Sequence, residues 1–238
     1  MMEDSRAKTF AFEVTCDSLT DNFSLAARQL MCLTSMMISC GKTYFFLHIM
    51  DASSAINTNH FLSNLARVRS EVSRSKEPYI KEHLQKYDDP DLPPVWKTLE
   101  VVSLGTLSKL FSNFSDNKAK NIVAGDFRLS QFLVLDSWLE SLTALRNYIA
   151  HHARIWNRRF PQKPELLRRS RYPWITTNPR QPFKLYSILC CIAYWLNAID
   201  EKNTFVSDFK NLLKKYPSVN PELMGFSTSW SQEPLWNI

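Results

Sequence analysis

The chain has 238 residues, 45% of them hydrophobic and 22% charged, with a formal net charge of +6. That length buries a core without disulfide or metal staples. Only 4 residues are glycine, roughly fourfold below the usual ~7%, which argues against glycine-rich phosphate loops, dinucleotide folds and turn-dense β-sandwiches.

In chain order, residues 1–43 are rich in Ser, Thr, Cys and Met and settle into neither helical nor strand period, although Phe23–Met37 reads as a candidate helix. This segment carries charges where a signal peptide needs an apolar stretch. Gly41-Lys42-Thr43 has the ending of a phosphate loop, but Met36 stands where that loop requires glycine. Phe61, Leu62, Leu65, Val68 and Val72 form an apolar stripe that predicts a helix near 58–74. Pro78 opens a short helix to about Tyr87, and the turn from Asp88 to Pro94 leads into a helix predicted to run from Pro94 to Phe114. A short helix near 117–124 ends around Gly125.

Leu129, Phe132, Leu133, Leu139, Leu142, Leu145 and Ile149 predict the longest helix, about Leu129–Phe160, ended by Pro161 and Pro164. Arg168–Pro182 reads as an irregular basic loop. Phe183–Ile199 is apolar nearly all round, as a central helix should be, and Asn203–Tyr216 is amphipathic. The stretch 217–238 reads as an irregular tail. The expected fold is all-α, with an atypical segment at 1–43, a helical domain at 44–216 and the tail after it.

The five cysteines, Cys16, Cys32, Cys40, Cys190 and Cys191, contain no Cys-x-x-Cys pair. Reduced thiols are therefore expected, not a zinc site or a disulfide framework. No cofactor motif and no carboxylate cluster stand out. The longest apolar windows, Tyr44–Met50 and Leu185–Leu196, fall far short of the ~20 residues that span a bilayer. A cytoplasmic protein with no membrane partner is the expectation.

Charge is concentrated. Between Arg146 and Lys184 lie ten basic residues against the single acid Glu165, so this stretch carries +9 and leaves −3 on the remainder. Such a field fits a polyanionic partner, or a solvated basic loop. Its start is the segment from Arg146 through Asn147, Ala150, His151, His152, Arg154 and Trp156 to Arg158. On a continuous helix Asn147 and His151 share a face, while Arg146 lies about 140° round from His151. A neutral imidazole exchanges protons near pH 7 and a guanidinium forks onto phosphate oxygens, so the pair suits phosphodiester chemistry. Taken alone, the same spacing also fits an ordinary solvated helix surface.

The order Arg146-Asn147, then Ala150-His151-His152, then Arg154, Trp156, Asn157 and Arg158 resembles the conserved block of the Abi (abortive infection) phage-resistance family, and the spacing of Arg146 and His151 resembles the Arg-x(4–6)-His signature of HEPN ribonuclease domains. Pro94-Val95-Trp96 followed by Glu100, Ser103, Gly105, Thr106, Leu107 and Ser108 is similar to a second Abi block. Residues 1–43 lack the Arg-rich opening helix and Glu-Arg-Ile-Glu-like stretch of that family. The resemblance implies an all-α, HEPN-like helical bundle that pairs as a homodimer with a composite site and cleaves RNA, single-stranded or structured, without metal. It implies that His151 is the general acid or base, with His152 the alternative. It also implies that Arg146 holds the scissile phosphate, that Asn147 orients the site, and that Arg154, Arg158, Arg159, Arg168 and Arg169 contact RNA. A non-catalytic RNA-binding module and an inactive, truncated remnant are the competing expectations.

Overall fold

The computed structural model of the chain describes residues 49–199 and 202–237. The expectations for residues 1–43, including the Phe23–Met37 helix, and the thiols of Cys16, Cys32 and Cys40 lie outside those residues. The described part is all-helical, with no strand; Ala55 and Phe114 form an isolated bridge. Two compact units divide at Asp126 and Phe127.

In the first unit, α1 spans Thr58–Ser73, and the Asn57 side chain caps it by accepting from the His60 N–H. Phe61, Val68 and Val72 of the predicted stripe are buried, whereas Leu62, one position off that face, is 54% exposed. Helix α2 spans Pro78–Lys86 with proline at its first turn, where the missing N–H costs nothing. The predicted helix from Pro94 to Phe114 is two helices, α3 at Val95–Val101 and α4 at Leu104–Asn113. Ser103 makes the break. Its Oγ accepts from the Thr106 N–H and caps α4, while Glu71 of α1 accepts from the Ser103 N–H (2.6 Å), the Ser103 hydroxyl (3.0 Å) and the Thr106 hydroxyl (2.9 Å). A carboxylate that takes up a backbone N–H in this way stabilises a helix start at the expense of helix continuity. Helix α5, Asn117–Asp126, begins where Asp116 Oδ1 accepts from the N–H groups of Lys118 and Ala119. The buried Lys120 ammonium donates to the carbonyls of Ser112 and Phe114, so a cation sits at the carbonyl end of α4 where the helix dipole favours it.

The second unit is built on α6 (Phe132–Ala150), α7 (Leu185–Ile199) and α8 (Phe205–Lys215). Helix α7 packs against both α6 and α8, and every residue from Leu185 to Leu196 is buried, as its all-round apolar sequence requires. Cys190 and Cys191 lie on it as free thiols, and burial pushes both of them up, which keeps them protonated and unreactive. The inner face of α6 buries Leu135, Trp138, Leu139, Leu142, Leu145 and Ile149, while Leu133 is 59% exposed. The tail is irregular apart from two 3₁₀ turns, Pro221–Met224 and Trp230–Gln232, yet it is packed. Met224, Phe226, Leu235 and Trp236 are buried, with Phe226 and Trp236 ringed by Tyr186, Phe209 and Trp230. Gly225, at φ 93°, lets the tail pass the chain at Lys184, whose Cβ would stand 2.8 Å from a side chain there.

Candidate functional site

Helix α6 ends ten residues short of the predicted Phe160, and it ends inside the Arg-Asn…His-His segment. His152 adopts φ 50°; its N–H donates to the Ile149 carbonyl (2.9 Å) and the Ala153 N–H to the Tyr148 carbonyl (2.8 Å). These two bonds are the Schellman pattern, in which a left-handed residue closes a helix; glycine usually fills that place, and histidine is one of the few others that enters it. His151 is the cap residue and its N–H donates to the Asn147 carbonyl (3.1 Å). The pattern therefore supplies the stop that neither glycine nor proline marks in the sequence, and Pro161 and Pro164 play no part in it.

The stop sorts the side chains. Leu142, Leu145 and Ile149 face inward, while Arg146, Asn147, His151 and His152 are all exposed. The Arg146 guanidinium lies 3.4 Å from Asn147 Oδ1. Neither imidazole makes a side-chain hydrogen bond or ion pair among the described residues. Asn147 and His151 are joined through the backbone, and Arg146 and Asn147 through their side chains.

After the turn the chain folds back on the helix. Ile155 and Phe160 are buried, and the Phe160 N–H donates to the Phe183 carbonyl. A second left-handed residue, Asn157 at φ 50°, presents its side-chain and main-chain oxygens to the Lys184 ammonium at 2.6 and 3.3 Å. Arg158 stacks over the Tyr148 ring at 4.2 Å and its Nε donates to the Arg154 carbonyl (2.6 Å). Arg159 stacks over Phe183 at 4.1 Å. Such stacking fixes a guanidinium's plane while its outer nitrogens remain available to an anion. Arg154, Arg168 and Arg169 are exposed. The structure thus groups Arg154, Arg158 and Arg159 at the turn and carries Arg168 and Arg169 on the irregular loop beyond it.

The second Abi-like block is occupied differently. Glu100 accepts from the Tyr79 hydroxyl (3.0 Å), and burial together with that carboxylate pushes Tyr79 up to about 12. Ser103 and Thr106 cap α4 and are held by Glu71, and Thr106, Leu107 and Ser108 are buried. These polar groups are committed to the fold.

Sequence reasoning missed a groove walled by the loop after the turn. It is lined by Lys163, Glu165, Arg168, Tyr172 and Trp174 and reaches Thr176 and Pro234. The charge of the loop was legible, but its aromatic wall depends on Trp174 stacking on Trp138 of α6 (5.8 Å), a contact between residues far apart in sequence. Among the described residues no three His, Cys, Asp or Glu side chains gather as metal ligands do, and no helix is long and apolar enough to cross a membrane.

The Abi-like protein family matches residues 29–157, just over half of the chain, which takes in the block from Pro94 to Ser108 and the block from Arg146 as far as Asn157. No curated protein and no solved structure matches.

Proposed function

The chain belongs to the Abi-like protein family and is an abortive-infection-type protein, and from that premise we propose that it is a HEPN-type endoribonuclease whose working residues are Arg146, Asn147 and His151. The observation that carries this reading is the contrast within the matched region. Ser103 and Thr106 of the second block are consumed by capping, whereas the side chains of Arg146, Asn147 and His151 stand in solvent at the end of α6 with no structural task that accounts for them.

In the proposed reaction a ribose 2′-hydroxyl attacks the adjacent phosphorus. A base takes the hydroxyl proton, the bond from phosphorus to the 5′-oxygen breaks, and an acid protonates that leaving oxygen. The products are a 2′,3′-cyclic phosphate and a 5′-hydroxyl. His151 suits the proton transfers because an imidazole can both accept and donate a proton. Arg146 suits the charge that builds on the phosphoryl oxygens, and Asn147 holds the guanidinium. One imidazole cannot accept and donate at the same instant. A homodimer that brings two copies of His151 to one phosphate supplies both roles, and His152 is the alternative histidine in place of His151. Arg154, Arg158 and Arg159, with Arg168 and Arg169 farther along, steer the RNA backbone by charge.

Incubation of the purified chain with end-labelled single-stranded RNA in the presence of a chelator tests the reading. The expected products carry cyclic phosphate and 5′-hydroxyl ends. RNA that is bound but never cut would favour the non-catalytic RNA-binding module. Cleavage that stops with chelator would contradict the metal-independent mechanism.

A further inference from the structure

We propose that the groove beyond the α6 turn is a nucleoside-phosphate subsite, in which Lys163 and Arg168 hold a phosphate and the Tyr172 ring, backed by the buried Trp174, receives the base. The groove encloses about 820 Å³ and is lined from residue 163 to residue 182 and by Pro234 of the tail, all outside the stretch matched to the family. That volume lies within the 300–1,000 Å³ typical of small-molecule sites.

Charge selects the first half of the ligand. The Lys163 ammonium and the Arg168 guanidinium are exposed and have no hydrogen-bond or ion-pair partner among the described residues. Glu165 is the one acid on the wall, so two unpaired cations face a single carboxylate. Cations left unpaired beside a concavity attract an anion with several acceptor oxygens, and a phosphate offers them.

Shape selects the second half. Tyr172 is half-exposed, and Trp174 shows only 8% of its surface. Tyr194 packs edge-on against both rings, and Trp138 stacks on Trp174. Flat, fixed aromatic surface beside cations is the combination on which bases stack, whatever their sequence. A bare inorganic phosphate would leave this wall uncovered.

The groove is also built in advance. Glu233 is buried and accepts from the Thr176 N–H (2.6 Å), the Thr176 hydroxyl (2.7 Å) and the Thr177 N–H (3.1 Å), which ties one wall to the tail. The Trp138 indole donates to the Glu165 carbonyl (2.7 Å) and the Glu165 N–H to the Ser137 hydroxyl (2.9 Å), which ties the other to α6. Walls so braced leave only the Lys163 and Arg168 side chains to be ordered on binding. Trp138 precedes Arg146 by eight residues, about 12 Å along the helix at 1.5 Å per residue. A strand seated in the groove is therefore within a few nucleotides of Arg146. That continuity with cleavage rests on the ribonuclease reading; binding in the groove does not.

The ligand is either a nucleotide of an RNA strand or a free mononucleotide, and titration of the full chain by tryptophan fluorescence separates them. One arm uses a 12-nucleotide single-stranded RNA and the other each of the four ribonucleoside 5′-monophosphates. Lys163→Ala/Arg168→Ala should raise the Kd of whichever ligand binds about tenfold or more. Lys214→Ala/Lys215→Ala, which removes the same charge from α8, should change it less than twofold. Tyr172→Ala should weaken binding severalfold and Tyr172→Phe should restore it. Binding of both ligands assigns the groove to the RNA chain, and binding of mononucleotide alone assigns it to a free nucleotide. No saturable binding of either ligand, or an unchanged Kd in Lys163→Ala/Arg168→Ala, overturns the proposal. RNA cleavage by a chain whose affinity ignores Lys163 and Arg168 would leave the ribonuclease reading standing and remove the groove. Mononucleotide binding lost in that variant, in a chain that never cuts RNA, would do the reverse.

Discussion

The start of α4 and the end of α6 both fall in stretches that resemble Abi blocks, and they spend their polar residues in opposite ways. At the start of α4 the Ser103 and Thr106 hydroxyls and the Ser103 N–H converge on Glu71, so each polar atom has a partner and the group is largely withdrawn from water. At the end of α6 the backbone satisfies itself through the Schellman bonds, and the side chains of Arg146, Asn147, His151 and His152 are released to solvent. A motif residue thus reports on chemistry only once its structural work is known. The helix cap accounts for Ser103 and Thr106, whereas nothing in the fold requires an arginine at 146 or an imidazole at 151.

The contrast can be broken at several points. The largest effect is expected on the inner face of α6. Leu142→Ala should cost about 2–5 kcal/mol by opening a cavity, while Arg146→Ala, four residues on and exposed, should stay within about 0.5 kcal/mol. Denaturant melts of the two variants measure the difference, and equal losses would mean that Arg146 is structural. Next, Glu71→Ala should cost on the order of 2–3 kcal/mol, because it strands the buried Thr106 hydroxyl and the Ser103 N–H. A smaller loss would show that water replaces the carboxylate.

The clamp at Glu233 gives a dependence on pH. Burial alone would raise this carboxyl, but the hydrogen bonds from Thr176 and Thr177 outweigh it and hold it below its usual 4.5. The folded-state value is therefore the depressed one. Its stabilisation is complete above about pH 4.5 and is lost as pH falls through the folded value. Wild type should lose stability over that acid range more steeply than Glu233→Gln, as thermal melts at stepped pH would show. Parallel curves would mean that the Glu233 carboxylate does not stabilise the fold.

The smallest effect belongs to His152. A non-glycine residue in the left-handed region costs roughly 1–2 kcal/mol, partly offset by the chain entropy that glycine adds to the unfolded state. His152→Gly should therefore be neutral or stabilising by up to about 1 kcal/mol, whereas His152→Val should destabilise. If His152→Gly keeps cleavage as well, the place of His152 in the block is explained by the turn.

The sequence carried the helices whose limits are local. Pro78 marks α2, the all-apolar run marks α7, and the amphipathic stretch marks α8, each within two residues of the observed bounds. The break between α3 and α4 was illegible because Glu71, which holds it open, lies 32 residues before Ser103. The end of α6 was illegible because a histidine takes the place of the expected glycine. The candidate residues were legible as a motif, and so was the basic loop as charge. The aromatic groove was not, since it exists only where Trp138, Trp174 and Tyr194 meet.

The proposed action of Arg146 and His151 on RNA is decided by measuring cleavage rate and RNA affinity together on wild type, His151→Ala and Arg146→Ala, with chelator present. His151→Ala should lower the cleavage rate by about 10²–10⁴-fold, the range for loss of a general acid or base, while its Kd for RNA stays within about threefold. Arg146→Ala should lower both. Cleavage by His151→Ala at the wild-type rate would contradict the assignment.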